Sequence, residues 1–149
     1  MEDNRFELFS TSAAYIVKMI QVLKSYKMGQ YGLKGTTCSC LCQLLASEDG
    51  LTAGELSERC SIDKAQVSRC TADLISCGFI YRNDCEGRRY RQKYVLTDAG
   101  RTAALDISNT TRQIQTQAEK GVSEDELDAF YRVLAQMCDN LSDLCDRIN

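Results

Sequence analysis

The chain has no histidine and no proline. The missing imidazole removes the commonest general base and the usual partner of a nucleophilic serine or cysteine, and no glycine-rich phosphate loop is present. An enzyme therefore finds little support, and no cofactor is expected. Without proline, every helix must end at a glycine or a capping side chain. No apolar run approaches the roughly twenty residues that a membrane span requires. The opening MEDNRFELFSTS lacks the basic region and long apolar core of a secretory signal. A cytoplasmic protein without membrane contact is the expectation. Repeats and low-complexity segments are missing too.

What is present is 149 residues with 44% hydrophobic content, one domain's worth of chain with enough apolar mass for a core. Nine cysteines would suggest a disulfide framework in a secreted protein, but here their spacing is helical and reduced thiols are the default. Cys38 and Cys42 lie beside Leu41 and Leu45, while Cys60, Cys70, Cys138 and Cys145 occupy positions suited to a small apolar side chain. Three thiols within Cys38–Cys42 suggest a soft metal site. A helix, however, turns Cys40 away from Cys38 and Cys42, so no metal is expected. The net charge of -3 hides an asymmetry, because residues 59–101 hold nine basic and five acidic residues, a local +4. The rest is at -7, so positive potential is gathered at one end.

That basic segment begins with two capped helices. Thr52 with Glu55 forms one capping-box pattern, and Asp63 with Gln66 forms a second after a tight turn at Ser61 and Ile62. The first helix should bury Leu56 and Cys60. The second should bury Val67, Cys70, Leu74 and Cys77, leaving Lys64, Ala65, Gln66, Ser68 and Arg69 around its outer N-terminal half. Gln can bond adenine through both amide atoms, Arg can fork onto guanine, and Ala or Ser lets a helix sit deep in the major groove. Gly78 ends this helix. Two strands follow, Phe79 to Arg82 and Tyr90 to Leu96, around a turn at 84–88. On the return strand Arg89, Arg91, Lys93 and Val95 share one face, and Arg88 adds to it at the tip. A helix with base-reading side chains beside a cationic ribbon is the order of a winged helix-turn-helix.

Long helices flank this segment. The first, about Asn4 to Lys27, repeats apolar residues at Phe6, Phe9, Ala13, Ile16, Ile20 and Leu23. A short helix runs from Thr36 or Thr37 to near Ser47. Thr97 should cap a helix from Asp98 to about Glu119, with Gly100 where close approach to the wing excludes a Cβ. After Gly121, Ser123 and Glu126 open the last helix, whose seam is Leu127, Phe130, Leu134, Met137, Leu141, Leu144 and Ile148. One neighbouring helix cannot cover so long a seam, which implies a partner chain.

This order resembles the MarR family of bacterial transcription regulators over essentially the full length. Leu96, Thr97 and Gly100 match the family's LT-x-x-G element, and Leu74, Gly78, Phe79, Ile80 and Arg82 match its segment from the recognition helix into the wing. The wing departs from the family's Asp-x-Arg turn, since Gly87, preceded by Glu86, stands before Arg88 and Arg89. The resemblance implies a mainly α fold with a small β wing, 1–149 forming one MarR-like domain. Within it, 36–103 would be the DNA-binding region, and 4–35 with 104–149 the dimerisation helices. It also implies a homodimer on a pseudo-palindromic operator, acting as a repressor and released by a small molecule. Lys64, Ala65, Gln66, Ser68, Arg69, Arg88, Arg89, Arg91 and Lys93 are the expected DNA contacts, and Tyr15, Tyr26 and Tyr31 are candidates to line an effector pocket. Two alternatives stand beside this. One is a redox or metal sensor, with Cys85 near Arg88 and Arg89 as the candidate thiol; the other is a helical dimer that binds no DNA.

Overall fold

A computed structural model describes residues 4–84 and 92–148. Its elements are α1 (Arg5–Gly29), α2 (Thr37–Leu45), β1 (Leu51–Thr52), α3 (Ala53–Cys60), α4 (Lys64–Ser76), β2 (Ile80–Asn83), β3 (Lys93–Leu96), α5 (Asp98–Ala118) and α6 (Glu124–Ile148). The fold is mainly helical with one small antiparallel sheet, as expected. Contacts divide the chain into two compact units, Met1–Thr111 and Arg112–Asn149.

The first unit is built on α2, α3 and α4. Leu41, Leu56, Val67 and Leu74 are fully buried where these helices meet, joined by Met28 at the end of α1 and Ile107 of α5. Each such side chain contributes about 1.5–3 kcal/mol by leaving water. The two buried threonines return their hydroxyls to their own helices or turns, Thr71 to the Val67 carbonyl at 2.9 Å and Thr37 to that of Lys34, so neither is left without a partner. The sheet order is β1-β3-β2, with Ile80 opposite Leu96, Arg82 opposite Tyr94 and Leu51 opposite Tyr94 on the other edge. The sequence offered no sign of β1, which is two residues long and pairs with a strand some forty residues away.

Three features at the root of the sheet tie it to the helices. Gly78 (φ +72°) ends α4 with a paired closure, its own N–H on the Ile75 carbonyl at 2.9 Å and the Phe79 N–H on that of Leu74 at 3.0 Å. Thr97 donates its N–H to the Phe79 carbonyl at 3.0 Å and its hydroxyl to the Gly78 carbonyl at 2.7 Å, while accepting the Gly100 N–H at 3.0 Å as the cap of α5. Gly100 then lies so close to Phe79 that a Cβ would meet its carbonyl oxygen at 1.8 Å. The expected close approach is thus present, directly before β2.

The end of α1 is fastened to α5. Lys27 Nζ lies 2.7 Å from Asp106 Oδ2, the Tyr31 hydroxyl donates to the same carboxylate, and the Tyr31 ring meets Phe79 edge-on at 5.9 Å. Of the three tyrosines considered for an effector pocket, Tyr31 is engaged in this way, and Tyr15 and Tyr26 are exposed. Met28 is the one buried residue of α1. By length and composition α1 is apolar enough to cross a bilayer, although Glu7 and Lys18 keep it from being an unbroken apolar run.

In the second unit the chain turns at Gly121 (φ +88°) into α6. The Ser123 N–H donates to Glu126 at 2.9 Å and the Glu126 N–H to the Ser123 hydroxyl at 3.4 Å, the expected reciprocal cap. Tyr131 donates its hydroxyl to Glu119 at 2.7 Å. No described residue of α6 is buried. Phe130, Leu134, Leu141, Leu144 and Ile148 of the seam are all exposed in the single chain.

Gly100→Ala is expected to cost about 3 kcal/mol, because backbone rather than a flexible side chain must give way. A thermal melt should show this as a fall of roughly 6–12 °C. Lys27 and Tyr31 hold the Asp106 carboxyl below its usual 3.8. The stability it contributes is therefore present above that value and lost as pH falls through the lowered one. Urea unfolding between neutral pH and pH below about 4 should show a shallower decline for Asp106→Asn than for the native chain.

Candidate nucleic-acid interface

The α3–turn–α4 unit is set by local bonds. Thr52 accepts the Glu55 N–H at 3.2 Å while Glu55 accepts the Thr52 N–H at 2.7 Å, the full capping box. That backbone bond is the main reason the Glu55 carboxyl is held below its usual range. Ser61 takes a left-handed conformation (φ 52°, ψ 45°), and the Ser57 hydroxyl reaches the Ile62 carbonyl at 2.6 Å, which closes the turn. Asp63 then caps α4 by accepting the Gln66 N–H at 2.7 Å. The second box is only half made, because Gln66 turns its amide elsewhere.

Val67, Cys70 and Leu74 of α4 are buried as expected, and Thr71 joins them. Cys77 does not. It follows the last helical residue, where the chain is already turning toward Gly78, and is exposed. Lys64, Ala65, Ser68 and Arg69 are exposed together on the outer N-terminal half of α4, with Gln66 half-buried among them. The two best base-reading groups are tied to each other: Arg69 Nη2 donates to Gln66 Oε1 at 2.9 Å, and Gln66 Nε2 reaches Cys70 Sγ at 3.5 Å. Gln66 is thus held over α4 rather than extended.

Lys93 is half-buried on the central strand, opposite Thr52 on one side and Asn83 on the other. β1 flanks this strand on its second edge. Arg82, which sequence reasoning left out of the site, is exposed on β2 with its guanidinium 5.7 Å from the Tyr94 ring centre. Its pairing with Tyr94 in a hairpin was the signal that could have found it. Cys85, Arg88, Arg89 and Arg91 lie outside the described residues.

A sequence model described as the MarR family matches residues 31–89, the segment from the end of α1 through the capped helices into the wing. Within that match the described residues form the capped helices α3 and α4 and the strand β2. Solved structures share the MarR fold over nearly the whole chain. A MarR transcriptional regulator from Methanosarcina mazei Go1 superimposes with a TM-score of 0.79 at 19% identity, covering 93% of this chain and 92% of that one. The transcriptional regulator SlyA gives 0.85 at 18%, covering 95% and 99%. The S. aureus MepR–DNA complex gives 0.80 at 20%, covering 89% and 96%. No curated protein matches in sequence.

Asp63→Ala should lower stability by about 1 kcal/mol, since the first turn of this MarR-type helix loses its only side-chain cap. The urea midpoint should fall with the slope unchanged.

Proposed function

We propose that the protein is a homodimeric regulator of transcription that binds a pseudo-palindromic operator, one α4 to each half-site, with half-sites about one helical turn apart. The observation that carries this is the outer N-terminal half of α4, where Lys64, Ala65, Ser68 and Arg69 stand exposed beyond the Ser61 turn. Residues 36–103 form the DNA-binding region in this reading. Ala65 and Ser68 permit close approach, and Gln66 and Arg69 read base edges after releasing each other. Lys64, Arg88, Arg89, Arg91 and Lys93 engage phosphate or the minor groove. That the MepR structure is a complex with DNA supports the same reading.

Residues 4–35 and 104–149 are the dimerisation helices. Support comes from the apolar seam of α6 and from Phe6, Ile16 and Leu23 of α1, all left exposed in one chain. A second copy covers such surface most economically, since self-complementary seams pair by symmetry. Control is repression, relieved when a small molecule favours a spacing of the two α4 helices that no longer spans the operator.

Selection of bound fragments from genomic DNA by the purified protein is expected to return a two-fold symmetric motif. Replacing Arg88 and Arg89 together by Ala should weaken binding to every duplex and reduce the salt slope by about 2. Gln66→Ala should instead relax preference at one base pair, by about 1–3 kcal/mol. A monomer at micromolar concentration, or binding without salt dependence, would overturn the proposal.

A further inference from the structure

Gln66 has both atoms of its side-chain amide engaged within α4. Its Oε1 accepts from Arg69 Nη2 at 2.9 Å, and its Nε2 donates to Cys70 Sγ at 3.5 Å. Cys70 is itself fixed, buried and giving its S–H to the Thr36 carbonyl at 3.6 Å. Arg69 is exposed, and among the described residues no carboxylate pairs with it. The guanidinium is therefore steered by the neutral Gln66 carbonyl, with its charge left open to an outside partner. The two residues are three positions apart on one helix face, about 4.5 Å along the axis, close to the roughly 3.4 Å step between stacked bases.

We propose that Gln66 and Arg69 read an adenine and a guanine in neighbouring base pairs as one unit, because the bond between them must break before either can read. The proposal rests on the operator-binding reading and names the kind of half-site it requires. Reading adenine through two bonds needs the amide oxygen and nitrogen together, and Gln66 has neither to offer while it lies half-buried over α4. The same bond draws Arg69 back along its own helix, so its fork meets a guanine edge only after letting go.

Magnitudes decide which bond matters. Sulfur is a weak acceptor, so leaving Cys70 costs little, whereas the bond from a charged guanidinium is the stronger one. That bond is broken once, whether one base is read or two. A half-site with both bases meets the cost once for two readings, and a half-site with one base meets it in full for a single reading. Discrimination at the two pairs is consequently cooperative. The first wrong base removes most of it, and the second removes little more.

The test uses the full chain and a duplex recovered by selection, with base pairs of one half-site changed singly and together. Gln66→Ala and Arg69→Ala locate the two positions, each relaxing preference at its own base pair. Changing both pairs is expected to weaken binding about tenfold less than the product of the two single losses. Either change combined with one outside the two pairs should simply multiply, which excludes a common floor of non-specific affinity. Losses that multiply at the two pairs overturn the coupled reading alone. The same base pair relaxed by both substitutions also overturns it, since Gln66 would then only support Arg69. Guanidinium rotation of Arg69, followed by NMR in the free protein, should be severalfold faster in Gln66→Ala than in the native chain. Equal rotation in the two overturns the pairing whatever the duplex shows. Native-like slow rotation without binding to any duplex overturns the operator-binding reading, and the coupled reading with it.

Discussion

The contact between the backbone of Gly100 and the carbonyl of Phe79 is the constraint on which the first unit depends. Into it converge the end of α4, the root of β2 and the first turn of α5, and Thr97 bonds to both Gly78 and Phe79 at the same place. A side chain at position 100 would push these apart, so the orientation of α4 relative to the sheet is decided by a missing atom. The Schellman closure at Gly78 leaves little slack in the chain entering β2. Helix and ribbon consequently behave as one surface, which is what two elements docking side by side on a duplex require.

A second theme is the division of labour in apolar surface. The helix-turn-helix buries its own leucines within one chain, whereas α6 buries none of its described residues and α1 only Met28. Charge is divided in the same sense, with the basic excess in 59–101 and the acidic excess elsewhere. Phosphate would be repelled by the acidic remainder and attracted by the basic segment. In the proposed reading the basic segment meets nucleic acid and the long helices serve association.

Much of this was legible in the sequence because it is local. Capping boxes act over three residues, so Thr52 with Glu55 and Ser123 with Glu126 could be read directly, as could Gly78 and Gly100. Where the outcome depended on distant neighbours, local reading failed. β1 exists only because β3 offers it an edge. Helical spacing separated Cys40 from Cys38 and Cys42 but held no information about the shared core that Cys40 and Cys70 enter from different helices. Gln66 was assigned from its chemistry alone, and its bonds to Arg69 and Cys70 are a property of the folded surface.

The ladder between β2 and β3 is anchored at its base, where Ile80 faces Leu96 beside the Gly100 contact. Register at this base is tied to the helices. Substitutions at the exposed β2 positions Tyr81, Arg82 and Asn83 therefore leave this base and α4 undisturbed. The outward chemistry of this strand can drift while the packing of the helix-turn-helix is kept.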